Sequence, residues 1–237
     1  QVQTRYDFIR DGFFLSPDGK HLAYVVRTGN KWFVVLDGKE GKQYDAIGSV
    51  LVFSPDNKRL AYAAQLDNKR FMVVDGQELK HYEGVGTTLV FSPDSQRMAY
   101  IAQSENKRFL VIDNKEQKKY DNVGNGTIVF SPDSKRLVYA VQSGNKRFVV
   151  MDGKEGKQYD DVAANSMEFS PDSKHIVFAA QLEKKQVCVV NGIEIGQYDG
   201  TWVLEKKRYV FDSPDKFHFL ALKDKAINYT EVAILRK

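Results

Sequence analysis

Six aspartates recur at nearly regular intervals along this chain of 237 residues, and their carboxylates are the first groups that could do chemistry. Each stands in a Ser-Pro-Asp triplet, and successive triplets are 38, 38, 39, 39 and 43 residues apart. The six are Asp18, Asp56, Asp94, Asp133, Asp172 and Asp215. A calcium loop needs several oxygen ligands close together in the chain, whereas each of these aspartates stands alone. We therefore interpret them as caps of their own turns.

The histidines are the next candidates, and they show no metal-ligand spacing. There are four of them, at different places in the repeated pattern: His21, His81, His175 and His218. The sequence also contains neither a Gly-x-Ser-x-Gly nucleophile motif nor a phosphate-binding loop. It therefore predicts no bound metal, no cofactor and no catalytic residues of the hydrolase type.

The regular spacing itself predicts the fold, since a period near 40 residues is typical of repeat architectures. In one copy, residues 123–160, three apolar segments of strand-forming residues alternate with turn residues, and a polar segment follows them. Asp152-Gly153, between the third and fourth segments, is typical of a tight hairpin turn. Four short antiparallel strands per period form one blade of a β-propeller. Six triplets thus predict an all-β, six-bladed propeller.

The two ends of the chain predict how the ring closes. The last copy lacks a fourth strand, while residues 1–7 align with the fourth strand of the first copy, residues 39–45. The alignment matches Tyr6-Asp7 with Tyr44-Asp45. We expect the N-terminal strand to complete the last blade, because a closed ring leaves no exposed strand edge. Residues 1–237 are then a single propeller domain.

The functional signal is clearest where the repeat breaks, because a site needs local exceptions to a uniform pattern. The connection into the last blade, residues 200–212, is longer than its counterparts, and the loop at residues 223–229 of that blade also looks irregular. In the first blade a tryptophan replaces the arginine of other copies. These breaks predict a binding site made of Trp202, Lys206, Lys207, Arg208, Trp32, Arg10 and Asp11.

Two other interpretations of these breaks remain open. The cluster could be ring-closure packing that includes an ion pair between Asp11 and Lys207. The chain could also be an enzyme acting on glycans or peptides at the channel mouth, with Asp11 and Glu168 as its acid and base. Glu168 supports this alternative because it is the lone acid at an innermost-strand position that is otherwise apolar.

Basic residues recur at the end of the blades where strands two and three are joined. They are Lys31, Lys69-Arg70, Lys107-Arg108, Lys146-Arg147 and Lys184-Lys185. This basic circle is either inherited repetition that serves solubility or a surface that attracts an acidic protein or peptide. Nucleic acid is not expected, since acidic residues nearly balance the basic ones and no stacking aromatics recur beside the pairs.

Composition limits the remaining possibilities. The net charge is only +4, and no apolar run approaches the length of a membrane span. The single cysteine, Cys188, lies in an apolar segment and is interpreted as a buried small hydrophobe rather than a reactive thiol. We predict a monomer. Because the chain starts at Gln1 without a methionine, we expect that an upstream segment such as a signal peptide was removed.

The segments Phe-Ser-Pro-Asp-Ser-Lys-Arg-Leu-Val-Tyr and Phe-Val-Val-Met-Asp-Gly resemble the WD-like repeat of TolB-type propellers. They are similar also to the propeller domains of tricorn-type and prolyl-peptidase proteins. The resemblance covers the whole chain, although the fourth strand departs from the TolB type by ending in Gln/Lys-Tyr-Asp, and no α/β partner domain is present in the sequence. The resemblance implies a propeller with an extracytoplasmic location. A non-enzymatic binding or scaffold module is the function that the sequence predicts.

Overall fold

The structure is a computed structural model, and it describes residues 6–201 and 208–235. Within these residues the chain forms strands and turns and no helix. The strands make six antiparallel sheets that follow one another in chain order. This arrangement confirms the all-β class and the six blades. The described residues also contain no helix that could cross a membrane.

The first three blades share one plan, in which an eight-residue innermost strand is followed by two long strands and a two-residue outer strand. Blade one consists of β1 (Phe8–Leu15), β2 (Leu22–Thr28), β3 (Lys31–Leu36) and β4 (Lys39–Glu40). Blade two consists of β5 (Ala46–Phe53), β6 (Leu60–Leu66), β7 (Lys69–Val74) and β8 (Gln77–Glu78). Blade three consists of β9 (Gly84–Phe91), β10 (Met98–Ser104), β11 (Lys107–Ile112) and β12 (Lys115–Glu116).

In blades four and five the innermost strand is divided into two short pieces. Blade four contains β13 (Asn122–Val123), β14 (Val129–Phe130), β15 (Leu137–Ser143), β16 (Lys146–Met151) and β17 (Lys154–Glu155). Blade five contains β18 (Asp161–Val162), β19 (Glu168–Phe169), β20 (Ile176–Leu182), β21 (Lys185–Val190) and β22 (Ile193–Tyr198). Blade six contains β23 (Gly200–Thr201), β24 (Val210–Ser213), β25 (Lys216–Lys223) and β26 (Ala226–Ala233). Within the described residues, blade six has no fourth strand beyond β26.

The chain divides into two compact units, residues 1–119 and residues 120–237, and each contains three blades. Inside each unit the hydrophobic core lies between neighbouring blades. Between blades one and two, for example, Ala23, Val25 and Val34 pack against Leu60 and Phe71. In blades two and five, which lie between two others of their unit, strands two and three are apolar on both faces because a neighbouring blade covers each side.

Tyrosines at the ends of the outer strands join consecutive blades. Tyr44 follows blade one and packs edge-on against Phe71 of blade two, with 5.7 Å between ring centroids. Tyr6 packs against Phe33 of blade one at the same 5.7 Å. The alignment of Tyr6 with Tyr44 is therefore confirmed by equivalent packing. Residues 1–5 lie outside the described residues, so closure of the ring over a single 1–237 domain stays a prediction.

The turns behave as the sequence predicts. In blade four, the Ser131 hydroxyl donates to Asp133 Oδ1 at 2.6 Å, and the Lys135 amide donates to the same oxygen at 3.2 Å. These bonds confirm that the triplet aspartate caps its own turn. At the Asp-Gly turns both residues have positive φ, with values of 51° at Asp152 and 80° at Gly153. Such angles favour glycine and aspartate and match the right-handed twist of the flanking strands.

Two details differ from the sequence prediction. The predicted fourth strand of blade four, residues 157–160, is instead the two-residue β17, followed by one isolated bridge between Arg147 and Tyr159. The irregular loop predicted at residues 223–229 is wrong, because β25 and β26 pair from Lys223 and Ala226 onwards around a two-residue turn. Blade five, by contrast, has the predicted fourth strand, which is six residues long.

Candidate functional site

The candidate site lies at the turn end of blade one. We use turn end for the end of a blade that carries the turn between its second and third strands and the connection to the next blade. In blade one the turn end comprises the residues around Gly29, Trp32 and Tyr44.

An acidic residue after each outer strand fastens the next turn at this end. Asp45 accepts a 2.9 Å hydrogen bond from the Asp67 amide in the turn of blade two, and a 2.6 Å bond from Lys31 Nζ of blade one. Asp160 repeats the pattern with the Glu183 amide at 2.6 Å and Lys146 at 2.7 Å. The hydrogen bond from the paired lysine is the main cause that holds the pKa of both carboxyls below its usual range.

These bonds change the interpretation of the basic circle. Lys31, Lys146 and Lys185 each form an ion pair with an aspartate of the molecule, Asp45, Asp160 and Asp199 respectively. An exposed ion pair of this kind contributes little to stability, but it neutralises the lysine as seen by a partner. For these three lysines, the structure therefore supports inherited repetition that serves solubility rather than a surface that attracts an acidic partner.

Blade one has, in addition to its lysine–aspartate pair, two arginine side chains stacked on an aromatic ring. The guanidinium carbon of Arg10 lies 4.5 Å from the centre of the Trp32 ring, and that of Arg27 lies 5.4 Å from it. Phe8 meets the indole edge-on at 5.8 Å, and 45% of Phe8 is exposed. Cation–π contacts of this type stabilise a charged group in place without neutralising it.

A bulge in β1 positions Arg10. The pairing of β1 with β2 shifts register between Ile9 and Phe13, and Gly12 within this stretch has a φ of 115°. A bulge re-aims the side chains that it contains. Arg10 Nη1 donates to the carbonyl oxygens of Ile47 and Gly48 in blade two, each at 2.9 Å. Burial lowers the pKa of Arg10, but an arginine stays protonated in proteins.

Arg27 differs from Arg10 because one of its guanidinium nitrogens, Nε, is buried without a hydrogen-bond partner within the described residues. Neither Arg10 nor Arg27 forms an ion pair with an acid in the part of the chain that the structure describes. A buried donor without a partner is uncommon in native proteins and calls for an explanation.

Two members of this cluster, Arg27 and Phe8, were missed by the sequence prediction, although the repeat carries a signal for Arg27. Arg27 pairs with Trp32 across the hairpin, at the register where Gln65 pairs with Arg70 in blade two. In blade two the Arg70 Nε donates to Gln65 Oε1 at 3.2 Å. Blade one thus replaces a glutamine–arginine pair by an arginine–tryptophan pair.

The other predicted site residues have different outcomes. Trp202, Lys206 and Lys207 lie outside the described residues. Arg208 lies in the second unit, where its Nη1 donates to the Thr201 carbonyl oxygen at 3.0 Å and contacts the Thr201 hydroxyl. Its guanidinium is thus held on its own blade. Asp11 is exposed on the β1 bulge and has no hydrogen bond or ion pair within the described residues. The predicted site as a whole remains a prediction.

The residues of the enzyme alternative lie in different units, with Asp11 in residues 1–119 and half-buried Glu168 in residues 120–237. The described residues contain no group of three His, Cys, Asp or Glu side chains that could hold a metal ion. The histidines have local partners instead. His21 and His218 contact Asp37 and Asp212, and His81 stacks on Phe71.

No protein-family model matches the chain, and no curated protein matches it. Among solved structures, matches include the β-propeller domain of the Trilobed protease from Pyrococcus furiosus, at 14% identity and a TM-score of 0.47, covering 98% of this chain and 86% of that one. TolB from Acinetobacter baumannii matches at 14% identity and a TM-score of 0.44, covering 91% of this chain and 65% of that one.

The acylaminoacyl peptidase of Pyrococcus horikoshii matches at 13% identity and a TM-score of 0.46, covering 97% of this chain. This chain spans only 46% of the peptidase. The matched structures are β-propellers and agree with the resemblance of the repeat to TolB-type and peptidase propellers. The likeness concerns the fold alone.

Proposed function

We propose that this protein is a non-enzymatic binding or scaffold module whose protein or peptide partner docks at the turn end of blade one. The observation that supports the proposal is the stack of Arg10 and Arg27 on Trp32, beside the exposed ring of Phe8. Tryptophan and arginine are enriched among the residues that dominate binding energy at protein interfaces. A half-buried tryptophan between two arginines is therefore suited to anchor a partner.

The charge of the cluster indicates an acidic partner. The lysine of the same hairpin, Lys31, is neutralised by Asp45, whereas Arg10 and Arg27 form no ion pair within the described residues. Two guanidinium groups without an ion-pair partner, next to apolar rings, favour a carboxylate on a segment that also carries apolar side chains. Such complementarity increases the rate of encounter and makes binding sensitive to salt.

The wider proposal keeps the features that the sequence predicts. The protein acts as a monomeric single domain in an extracytoplasmic compartment, and the TolB-type resemblance implies this location. Trp202, Lys206 and Lys207 stay predicted members of the docking surface, to be tested separately from the blade-one cluster.

The test uses Trp32 as its own reporter. In a Trp202→Phe variant, Trp32 is the remaining tryptophan, since the chain has two. Because Trp202 is itself a predicted member of the docking surface, calorimetry first compares the affinity of this variant with that of the natural chain. A blocked hexaglutamate peptide with one internal leucine is titrated at low salt, and the emission of Trp32 is followed. We expect a saturable change in emission that weakens as sodium chloride is added.

The decisive variants introduce into blade one the residues that blade two has at the equivalent positions, and they should therefore fold. Arg27→Gln introduces the residue of Gln65, and Trp32→Arg introduces that of Arg70, whose pair is formed in blade two. Each should weaken binding by roughly tenfold or more, as truncation of an interface anchor does. Binding to the Trp32→Arg variant is measured by calorimetry, because this variant lacks the fluorescent reporter. Arg70→Gln in blade two is the matched control. If Arg70→Gln weakens binding as much as Arg27→Gln does, the peptide is attracted by the overall positive charge and the proposal fails.

A further inference from the structure

The opposite end of the blades, which carries the Ser-Pro-Asp and Asp-Gly turns, holds guanidinium groups in a recurring way. The residue five positions after the triplet serine is an arginine in blades two, three and four and a histidine in blades one, five and six. In blade four the Arg136 guanidinium carbon lies 5.6 Å from the centre of the Phe169 ring of blade five. In blade two Arg59 lies over Phe91 of blade three at 5.1 Å.

Two further groups hold these guanidinium groups. Arg136 Nε donates to Asp152 Oδ2 at 3.1 Å, and its Nη1 donates to the carbonyl oxygens of Ser173 at 3.2 Å and Lys174 at 3.0 Å. Arg59 Nε donates to the equivalent Asp75 at 3.3 Å. The guanidinium binding place of blade four therefore consists of a phenylalanine face, a carboxylate of the same blade and the carbonyls of the next turn, whereas that of blade two has the first two of these groups.

At blade one the same surroundings occur with a shorter side chain. His21 stands at the arginine position, and its Nδ1 lies 2.7 Å from Asp37 Oδ2. Within the described residues no cationic side chain lies over Phe53, which is the counterpart of Phe91 and Phe169 in blade two. Phe53 is accordingly half-exposed, whereas Phe91 and Phe169 are only 7% and 6% exposed.

A groove of about 760 Å³ opens above this ring, between blades one and two. Its floor is apolar and includes Val34, Leu36, Phe53 and Tyr62. Asn57 and Lys58, which correspond to the carbonyl-bearing turn residues of blade five, also line it. The lining contains five carboxylates and four lysine or arginine side chains, and most of these groups form ion pairs with one another, so the fixed charges do not oppose a cationic ligand.

We infer that this groove binds the guanidinium of an arginine side chain presented by a protein partner. The guanidinium would lie on the Phe53 face and donate to the carbonyls of the blade-two turn, as Arg136 does between blades four and five. This site is separate from the proposed docking surface, which lies at the other end of blade one.

A natural comparison lies at blade five, where His175 also replaces the arginine. There Nδ1 lies 2.8 Å from Asn191 Nδ2, and an amide stands in place of the carboxylate. The groove beside it, of about 610 Å³, thus lacks the acid at this position and should bind a guanidinium less well.

The test is an NMR titration of the whole chain with Nα-acetyl-arginine methylamide, and with the corresponding lysine compound as the matched probe. We expect saturable shifts at Phe53 and Leu36 with the arginine probe. The lysine probe should bind more weakly, because it cannot form the planar stack and paired donor contacts. Equal shifts from both probes would show only general attraction of cations and would overturn the inference.

Two variants distinguish filling of the groove from damage to the fold. His21→Arg places in blade one the residue that three other blades carry, so it should fold and weaken binding of the probe by roughly tenfold. Arg59→His should expose Phe91 and produce a new set of shifts there. Phe53→Leu removes the ring without filling the groove and should also abolish the shifts. Unchanged binding in His21→Arg or in Phe53→Leu contradicts the inference.

Discussion

Tyr120 donates a hydrogen bond of 2.8 Å to a carboxylate oxygen of Glu155 and so ties the residue that precedes blade four to the outer strand of that blade. The same tyrosine packs edge-on against Phe148, with 5.8 Å between ring centroids. Burial raises the pKa of the Tyr120 phenol, and the neighbouring Glu155 carboxylate raises it further. The bond fastens the segment that enters blade four to the outer strand of that blade.

Tyr120→Phe should therefore destabilise the protein by about 1–2 kcal/mol, because a bond to a charged acceptor is lost while the ring packing remains. Urea unfolding followed by circular dichroism measures the change. Tyr229→Phe is the control, since Tyr229 is 58% exposed and its change should stay within about 0.5 kcal/mol. Equal effects of the two substitutions would show that the Tyr120–Glu155 bond contributes nothing specific.

Asp172 should make stability depend on acid pH. The hydrogen bond from the Ser170 hydroxyl is the main cause that lowers the pKa of Asp172 from 3.8 to about 2. A carboxyl whose pKa is depressed by folding stabilises the protein above its unfolded pKa, and this contribution is lost as the pH falls through the folded value. Asp172→Asn should be less stable than the natural chain at pH 6. The gap should narrow between about pH 4 and pH 2, and a constant gap in urea midpoints would contradict this account.

Cys188 should be unreactive until the protein unfolds. Its side chain is fully buried, and burial raises the pKa of its thiol to about 12. The thiolate is the reactive form, so a disulfide reagent at pH 8 should label native protein only at the rate of unfolding. In urea one thiol per chain should react at once, since the chain has one cysteine. Rapid labelling without urea would rule out the buried position.

Removal of residues 1–7 should destabilise the chain. The sequence predicts that these residues complete the last blade, and Tyr6 packs on Phe33 of blade one. Each lost strand hydrogen bond would cost roughly 1 kcal/mol, and the bare strand edge would promote aggregation. Thermal melting of the trimmed and full chains provides the measurement. A trimmed chain that stays soluble, monomeric and equally stable would show that the N-terminus does not close the ring.

Much of the fold could be predicted because the turn residues report directly on the backbone. The Ser-Pro-Asp spacing predicted six sheets, and Asp152-Gly153 predicted a turn whose φ angles are both positive. The division of the innermost strand in blades four and five could not be foreseen. There, the hydroxyls of Thr127 and Ser166 accept strand hydrogen bonds from Ala140 and Ala179 and so replace backbone partners.

The candidate site could be predicted only in part. Trp32 and Arg10 were found because they break the repeat. The contact of Arg27 with Trp32 depends on side-chain direction, which composition and spacing do not determine. The ion pairs of Lys31 and Lys146 were equally hidden, since a count of charges cannot show that a repeated lysine faces a repeated aspartate.

The carboxylate of Asp45 has a consequence for how the chain is made. The acid that fastens the turn of blade two precedes that blade in the sequence, and Asp160 stands in the same relation to the turn of blade five. During synthesis the N-terminal parts of a chain fold first. Each turn that emerges can therefore donate its hydrogen bond to an acid that is already present after the preceding blade. Assembly from the N-terminus can then add one blade at a time, because each formed blade is followed by the acid that binds the turn of the next.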